Sequence, residues 1–346
     1  MRNLLLVCLL ILSVSIYCES QKTGQQILYD SLLNMKTKEA FKMWHYLEDK
    51  KYLLNTELGL SKYRVFKDNV KYIKQRNAEL VDYQLGIGPF TDLTFEEYKA
   101  ILLNEKRFQS GKDKLRNLAE INFDEMADAA EEETKVNGFH DWSSDFVGVR
   151  NQGSCGSCWA FSTTGAIEGA LSNKQGRYAA LSPQHLVDCD TTNYGCDGGL
   201  FDGAFQFAYE RGIAYDADYK YTAMVGQCRS GLATTKLRGI RYCSNYHGKS
   251  CASGTDSCQN LLSVAPLSVG IDAGTRDFQN YKNGIYSAAC ANDNHAVVMV
   301  YMDSTSVKIR NSWGGAWGEN GYIRVSRNSN NRNSCFTENE CYAPVL

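Results

Sequence analysis

The chain has 346 residues, 37 basic against 39 acidic side chains, and a formal net charge of −2. This balance lacks the basic excess that is typical of nucleic-acid-binding proteins, and no nucleic acid partner is expected. The length accommodates one large domain or two ordinary ones.

The N-terminal sequence has the pattern of a secretory signal peptide. Arg2 precedes an apolar run from Leu4 to Tyr17, and this order of a charged start and a short hydrophobic core is typical of such a leader. The run is too short to span a bilayer comfortably. We therefore expect a signal peptide over residues 1–20, a mature form without a membrane segment, and delivery through the secretory pathway to a lysosome-like vesicle or to the exterior.

Residues 21–119 form a basic segment without cysteine, with 18 Lys and Arg against 13 Asp and Glu. Phe66, Asn69, Ile73 and Asn77 recur at helical spacing and predict a long helix. The glycines and proline of residues 86–90 predict a turn after that helix. The segment is thus predicted to be a mainly helical domain.

Residues 120–135 have the composition of a solvated linker. Seven acidic residues and no basic ones lie between Glu120 and Glu133, without strong apolar periodicity. We expect that protonation of these and earlier carboxylates at low pH permits cleavage near Lys135 or Val136, which leaves residues 136–346 as the mature domain. The alternative is that the segment is a passive tether.

Cys158 has the setting of a thiol nucleophile. A cysteine with the ordinary pKa of about 8.5 is mostly protonated at neutral pH, and a helix N-terminus or an imidazolium stabilises its thiolate. After the Gly156-Ser157 turn, residues at helical spacing predict a buried helix: Ala160, Thr164, Ile167 and Leu171. Cys158 is therefore predicted to lie in the first turn of a helix.

Three further residues complete a catalytic set with Cys158. His295 begins an apolar, β-rich stretch, and a neutral imidazole accepts the thiol proton and later returns it to a leaving amine. Asn311, on a glycine-rich turn, is placed to orient the ring. Gln152 offers an amide that, with the backbone N–H of Cys158, stabilises a tetrahedral oxyanion.

Eleven of the 13 cysteines follow residue 20. If Cys158 is the free nucleophile, ten remain for disulfides, which form in an oxidising compartment. A rival interpretation takes Cys243, Cys251, Cys258 and His247 as a zinc cluster, but the spacings are irregular and secretion favours oxidation.

The chain resembles the papain-like cysteine peptidases, near the cathepsin L branch. The resemblance is carried by three separated motifs: Gln152–Ser162, His295 and Asn311–Gly318. The first contains the known cysteine signature of that family. Residues 21–119 resemble the family's inhibitory propeptide, although Leu58 and Lys62 stand where the family usually has Glu and Arg.

This resemblance implies an α+β fold with two lobes and a helical propeptide before them. A helical lobe would be led by the Cys158 helix, a β-barrel-like lobe would carry His295 and Asn311, and the active site would lie in the cleft between the lobes. The implied activity is that of a monomeric cysteine endopeptidase, which cleaves protein and peptide substrates through an acyl-thioester. Its own propeptide would inhibit it, and no metal or organic cofactor is implied.

The resemblance also implies disulfides and substrate contacts. The implied disulfides are Cys155 with Cys196, Cys189 with Cys228, and Cys290 with Cys335. The four other cysteines allow three pairings that remain open: those of Cys243, Cys251, Cys258 and Cys341. The implied substrate-binding residues are Gly198, Gly199, Phe201, Gly270, Asp293, Trp313 and Glu340.

Glu340 is expected to close the floor of the pocket for the second side chain on the acyl side of the scissile bond. With Phe201 and Gly270 in the pocket wall, we expect acceptance of both bulky apolar and basic residues there. The alternative is that Glu340 points to solvent.

Two functions of other classes stay open. A disulfide oxidoreductase would use Cys155 and Cys158 as a Cys-X-X-Cys pair, and it would need neither Gln152 nor His295. A binding protein built on an inactive peptidase scaffold would usually have lost the nucleophile or the base.

His140 and His185 lie in no motif and are expected to be structural or at the surface.

Overall fold

The computed structural model describes residues 24–103, 140–245, 248–253, 256–327 and 332–346. The predicted signal peptide, the acidic linker and His247 lie outside them. The helices are α1 (Gly24–Leu32), α2 (Thr37–Leu47), α3 (Glu57–Asn77), α4 (Phe95–Tyr98, continued by a π turn over Lys99–Leu103), α5 (Cys158–Gln175), α6 (Pro183–Cys189), α7 (Phe201–Glu210), α8 (Cys258–Leu262), α9 (Arg276–Gln279) and α10 (Arg332–Cys335), with 3-10 turns at Trp142–Asp145 and Gly195–Asp197.

The strands are β1 (Tyr83–Leu85), β2 (Ile213–Ala214), β3 (Thr234–Thr235), β4 (Gly239–Ser244), β5 (Leu267–Ile271), β6 (Tyr281–Tyr286), β7 (His295–Met302), β8 (Ser306–Arg310), β9 (Tyr322–Ser326) and β10 (Glu340–Val345). Among the described residues no helix is both long and apolar enough to cross a membrane.

The N-terminal helices form a small domain with its own core. Phe41 and Trp44 of α2 pack against Phe66 of α3, with ring centroids 5.1 and 5.2 Å apart. Phe66, Val70 and Ile73 lie on the buried face of α3 because they recur at helical spacing. The Thr56 side chain caps that helix by accepting a hydrogen bond from the Gly59 amide.

Helix α5 is the centre of the helical lobe. All of its residues from Cys158 to Ser172 are buried, and small side chains allow the sheet and loops to approach closely. A Cβ at Gly165 would lie 2.9 Å from Val298 of β7, and one at Gly169 would lie 2.6 Å from Phe146. This close packing fixes the start of α5 against β7.

Eight strands form one sheet in the order β1-β6-β9-β8-β7-β5-β10-β4. The α+β, two-lobed fold is confirmed, but the β-barrel-like description of the second lobe is corrected: the sheet of the described residues is open, with β1 and β4 at its edges. Most of these strands are antiparallel, and a twisted open sheet covered by a helix buries its core without closure.

The N-terminal helical domain supplies one edge of this sheet through β1. Strand β1 pairs antiparallel with β6, and Tyr83 lies opposite Gly284. The φ of Gly284 is +95°, and a Cβ there would lie 2.5 Å from the Asp82 carbonyl oxygen. Only glycine permits this approach without strain, so the sequence of β6 is adapted to the added strand.

Five disulfides link the described cysteines. Three are the pairs that the resemblance implies: Cys155–Cys196, Cys189–Cys228 and Cys290–Cys335. The two pairs left open by the sequence are Cys243–Cys251 and Cys258–Cys341. The sulfurs of Cys243, Cys251 and Cys258 lie within 4.8 Å of one another. Because each of them is already in a disulfide, they offer no thiolates to a zinc ion.

The two additional disulfides are expected to differ in their contribution to stability. Cys258 and Cys341 are 83 residues apart, whereas Cys243 and Cys251 are 8 apart. Closing the longer loop removes more conformational entropy from the unfolded chain. The resulting difference in the free energy of unfolding is about 2 kcal/mol. Replacing Cys258 and Cys341 with serine should lower the free energy of unfolding more than the same change at Cys243 and Cys251. Denaturant unfolding of both variants in an inactive Cys158→Ala background measures this, and equal losses would contradict it.

Candidate active site

Cys158 begins α5 and is the one free cysteine among the described residues. It is 5% exposed. The backbone amides of Trp159 and Ala296 lie close enough to its sulfur to favour the thiolate. Since Ala296 follows His295 on β7, the thiol lies where the first turn of α5 meets the start of that strand.

The orientation of His295 follows from its contact with Asn311. Nε2 of His295 lies 2.8 Å from Oδ1 of Asn311, and the same oxygen accepts a hydrogen bond from the Ser312 amide at 2.8 Å. Oδ1 is thus an acceptor, so Nε2 must carry the ring proton. The remaining nitrogen, Nδ1, is buried and has no hydrogen-bond partner among the described residues. It is the basic nitrogen of the neutral ring.

Trp313 shields this contact from water. Its ring is 1% exposed and stacks on His295 with centroids 4.7 Å apart. Two propeptide rings, Phe90 and Tyr98, pack edge-on against Trp313 at 5.3 and 5.7 Å. Trp313 thus covers the His295 ring, and Phe90 and Tyr98 add a second aromatic layer.

Both polar atoms of the Gln152 side chain make hydrogen bonds. Its Nε2 donates to the Cys155 carbonyl at 3.0 Å, and its Oε1 accepts from Ser312 Oγ at 2.6 Å. Its backbone amide donates to the Ser312 carbonyl at 2.8 Å. This brings Gln152 beside the segment that carries Asn311, with the second Nε2 proton not used in these contacts.

Sequence reasoning missed an ion pair between Arg150 and the buried carboxylate of Glu168. Arg150 Nη2 lies 2.5 Å from Glu168 Oε1, and the Arg150 carbonyl accepts from the Gly314 amide at 3.0 Å. Glu168 is on α5, so the pair joins the Cys158 helix to the Gln152 segment. The available signal was a lone carboxylate in an otherwise small and apolar helix.

Burial keeps both reacting groups uncharged in this form. It raises the pKa of the Cys158 thiol to about 11. It lowers the pKa of His295 to about 4, against the opposing effect of the Asn311 contact. Between these two values the thiol keeps its proton and the imidazole lacks one. Burial therefore favours the neutral forms of Cys158 and His295 in this structure.

The Gly198-Gly199 segment has no room for side chains. A Cβ at Gly199 would lie 2.5 Å from Asn193 Oδ1 and 2.6 Å from the Trp159 ring, and Gly198 has a φ of +116°. Phe201 begins α7 two residues later and is 6% exposed. Its position places an apolar ring next to the glycines.

A row across the sheet joins the predicted pocket floor to Cys158. Gly270 of β5 lies opposite Ala296 of β7. The pairing of Cys341 with Val269 sets Glu340 opposite Gly270, one step along the same register. Residues opposite each other share a face of the sheet. Glu340, Gly270 and Ala296 therefore point toward the helical lobe, and Asp293 packs beside Gly270, where a Cβ would lie 3.2 Å from its Oδ2.

Glu340 is engaged at that position. Its Oε1 accepts hydrogen bonds from Ser244 Oγ at 3.1 Å and from the Tyr342 hydroxyl at 3.0 Å. The carboxylate is thus held at the junction of the sheet and α7.

Asp277 of α9 joins the N-terminal helical domain to the rest of the molecule. The hydroxyls of Tyr72 and Tyr83 donate to its carboxylate at 2.5 and 2.6 Å, and Arg76 Nη2 does so at 2.8 Å. These hydrogen bonds lower the pKa of Asp277, although burial opposes them. Its charged form therefore stabilises the docked propeptide.

The sequence departures at Leu58 and Lys62 leave one ion pair in place. Lys62 Nζ lies 3.0 Å from Glu97 Oε1, and Glu97 also closes a capping box with Thr94 at the start of α4. Leu58 is 54% exposed. The pair between α3 and α4 therefore persists with lysine in the basic position.

Two of the remaining histidines have structural contacts. His185 Nδ1 accepts from the Ala214 amide at 3.1 Å, and burial lowers its pKa. His140 Nε2 lies 2.9 Å from Asp145 Oδ2. Neither is placed with the residues of the candidate site.

Comparisons with known proteins agree with this geometry. A profile described as papain family cysteine protease matches residues 137–345, and one described as cathepsin propeptide inhibitor domain (I29) matches residues 41–98. The chain is 37% identical to the probable cysteine protease RD21B of Arabidopsis thaliana over 306 residues, which are 85% of this chain and 63% of that protein. It is 34% identical to papain of Carica papaya, over 85% of this chain and 82% of papain.

Solved structures give the same result. The proform of Amb a 11, a cysteine protease and major ragweed pollen allergen, superposes with a TM-score of 0.76 at 26% identity, covering 91% of this chain and 97% of that one. The similarity thus includes the propeptide as well as the catalytic region.

The neutral state of Cys158 predicts slow alkylation of the precursor. With its pKa raised to about 11, iodoacetamide at pH 7 should label Cys158 about two orders of magnitude more slowly than a free cysteine, and faster as the pH approaches 10. Mass spectrometry of the intact precursor measures the label, and Cys158→Ser is the control. Labelling at pH 7 as fast as that of free cysteine would contradict the neutral state.

Proposed function

Because the chain belongs to the papain family of cysteine proteases and is a cysteine endopeptidase made with its inhibitory propeptide, we propose that Cys158 is its nucleophile and His295 its general base. The observation that carries this proposal is the Asn311 contact, which leaves Nδ1 of His295 as the basic nitrogen, while the amide of the next residue, Ala296, lies close to the Cys158 sulfur. Asn311 orients the ring, and Gln152 with the Cys158 amide receives the oxyanion.

The reaction proceeds in two acyl-transfer steps. Nδ1 takes the thiol proton, and the sulfur attacks the peptide carbonyl carbon to give a tetrahedral oxyanion. The C–N bond breaks, the amine leaves with the proton from His295, and an acyl-thioester remains. Water, deprotonated by His295, then attacks the thioester, and the carboxylic acid and the thiol are released.

Removal of the propeptide is the event that permits this chemistry. It takes Phe90 and Tyr98 away from Trp313 and admits water to the cleft, which reduces the cost of charging both groups. The pKa of the thiol then falls and that of His295 rises, so that the thiolate and imidazolium form a mutually stabilised pair.

The proposed pocket for the second acyl-side residue has apolar walls and an acidic floor. Phe201 and the space above Gly270 receive bulky apolar side chains, and Glu340 pairs with Arg or Lys. Supporting this proposal are the shared sheet face of Glu340, Gly270 and Ala296 and the proximity of Asp293 to Gly270.

We propose that the precursor enters the secretory pathway and is activated at acidic pH in a lysosome-like vesicle or outside the cell. The domain bounds proposed are 1–20 for the signal peptide, 21–119 for the propeptide, 120–135 for the linker and 136–346 for a monomeric mature enzyme. Five disulfides support an oxidising compartment.

The oxidoreductase alternative has an observation against it. Cys155 is bonded to Cys196, so it is not available to form a reversible pair with Cys158.

Gln152→Ala should reduce kcat about 100-fold with little change in KM, because one oxyanion donor is lost. Hydrolysis of a fluorogenic peptide amide measures this after the variant precursor is processed by added wild-type enzyme, and active-site titration gives the concentration. Asn151→Ala, an exposed neighbour, is the matched control, and Cys158→Ser should be inactive. A loss below about tenfold would argue against an oxyanion role for Gln152.

Asp277→Asn should speed self-processing at pH 5 to 6 about tenfold, because a buried charged acceptor of four hydrogen bonds, two of them from Arg76, is lost. Since the docked pKa of Asp277 is depressed, its contribution is present above its ordinary pKa and disappears only as pH falls through the lower docked value. The wild-type contact therefore persists at pH 5.

The matched control is Asp68→Asn, which removes an exposed partner of Arg276 from the same interface. It should change the rate less than about twofold. Gel densitometry of precursor against mature enzyme over time measures both variants. If Asp277→Asn processes no faster than Asp68→Asn, the carboxylate does not control release.

A further inference from the structure

Tyr221, in the loop between β2 and β3, lies between the two segments that carry the proposed oxyanion donors. Its hydroxyl oxygen is 2.8 Å from the Gln152 carbonyl oxygen and 2.6 Å from Ser157 Oγ. Ser157 directly precedes Cys158. One phenol therefore contacts the residue whose side chain supplies one donor and the neighbour of the residue whose backbone amide supplies the other.

The direction of these two hydrogen bonds follows from the groups involved. A carbonyl oxygen can only accept, so the Tyr221 hydroxyl donates its single proton to Gln152. The contact with Ser157 must then run the other way, with Ser157 Oγ donating to the Tyr221 oxygen. Burial raises the pKa of Tyr221 to about 12, so the phenol keeps its proton at neutral and acidic pH. The result is a directed hydrogen-bond chain from Ser157 through Tyr221 to Gln152, and bonds in such a chain polarise one another.

The Ser157 hydroxyl is not used as a helix cap. Ser157 is the N-cap residue of α5, where a serine side chain ordinarily accepts a hydrogen bond from an amide of the first turn. Here the side chain accepts no such bond from the described amides. The amides of Ala160 and Phe161 donate instead to the Ser157 carbonyl, at 3.0 and 3.1 Å. The hydroxyl is therefore engaged by Tyr221.

The position of Tyr221 is fixed by the helices around it. Its ring packs edge-on against Phe161 of α5, with centroids 4.7 Å apart. The buried side chain of Gln184, on α6, holds the following residues of the loop: its Oε1 accepts from the Thr222 amide at 2.8 Å, and its Nε2 donates to the Met224 carbonyl at 2.7 Å. A phenol supported in this way on two helices offers a rigid point of attachment.

We propose that Tyr221 is a positioning residue for the oxyanion site: its hydroxyl joins the Gln152 backbone to Ser157 and so sets the separation between the Gln152 side-chain amide and the backbone N–H of Cys158. This inference rests on the proposed function. Both donors must lie about 3 Å from the developing oxyanion. A small change in their separation therefore weakens the transition state more than it weakens substrate binding.

Tyr221→Phe keeps the ring and its contact with Phe161 and removes only the hydroxyl. It should lower kcat for a fluorogenic peptide amide about tenfold and leave KM within about twofold, because the oxyanion forms only along the reaction. The variant precursor is processed by immobilised wild-type enzyme, which is then removed, and active-site titration gives the concentration. The matched control is Tyr215→Phe, which loses a hydroxyl that accepts from Thr235 Oγ1 at 2.9 Å and should change neither constant.

Alkylation of Cys158 separates oxyanion positioning from a general disturbance of the site. Iodoacetamide reacts at a saturated carbon, so its reaction with the thiolate forms no oxyanion and depends on the state of the thiol alone. In processed Tyr221→Phe the alkylation rate should stay within about twofold of the wild type while kcat falls. Equal losses in alkylation and hydrolysis would mean that the nucleophile itself is disturbed, and the proposal would be overturned.

A double-mutant cycle tests whether Tyr221 acts through Gln152. In a Gln152→Ala background, Tyr221→Phe should lower kcat less than about twofold, since the donor that it positions is already gone. A full tenfold loss there would overturn the proposal.

Ser157→Ala tests the other end of the chain with every tyrosine retained, so it does not depend on the folding of Tyr221→Phe. It should lower kcat about threefold without changing the alkylation rate, and it should cause no further loss when combined with Tyr221→Phe. An unchanged kcat in Ser157→Ala would overturn the proposal.

The same measurements distinguish this inference from the proposed function. If Gln152→Ala loses activity while Tyr221→Phe does not, the oxyanion role of Gln152 stands and the positioning role of Tyr221 fails. Failure of processed wild-type enzyme to cleave the peptide amide would instead overturn the proposed function.

Discussion

The hydrogen bond between Asn311 and His295 is the interaction on which the site depends. This bond sets the tautomer of His295. Oδ1 of Asn311 already accepts a hydrogen bond from the Ser312 amide, and an amide oxygen can only accept, so Nε2 must be the protonated donor. Strands β7 and β8 are antiparallel, so the start of β7 and the end of β8 lie at the same end of the pair. This brings His295 and Asn311 together. Trp313 then keeps it dry by stacking on the ring. The pairing of these strands therefore determines which nitrogen of His295 carries the proton and which is basic.

Latency and reactivity follow from the same burial. In the precursor, the thiol and the imidazole are both neutral because neither charge is solvated. The propeptide places aromatic rings against Trp313, and its strand β1 pairs with β6 at the edge of the sheet. The propeptide thus adds an apolar layer over the ring that covers His295.

The sequence predicts the parts of the molecule that depend on local spacing or on a known motif. The helix after Ser157, the strand that begins at His295 and the long helix around Phe66 all have periodic patterns. The pairing of Cys258 with Cys341 had no local signal, because it depends on β10 entering the sheet between β4 and β5. The Arg150–Glu168 pair, the Asp277 cluster and Tyr221 were missed for the same reason: their partners are distant in sequence. The open sheet in place of a barrel is also a matter of global pairing.

The added strand β1 has a consequence for the enzyme after maturation. When the propeptide leaves, β6 becomes an edge strand with a row of unsatisfied backbone donors and acceptors, which is a template for aggregation between molecules. Lys282, the second residue of that strand, pairs with Asp30 of the propeptide at 3.1 Å. Departure of the propeptide takes this carboxylate away from the ammonium, and a positive charge close to the newly exposed edge discourages a second strand from docking. Lys282 thus helps to hold the propeptide in the precursor and opposes aggregation of the mature enzyme.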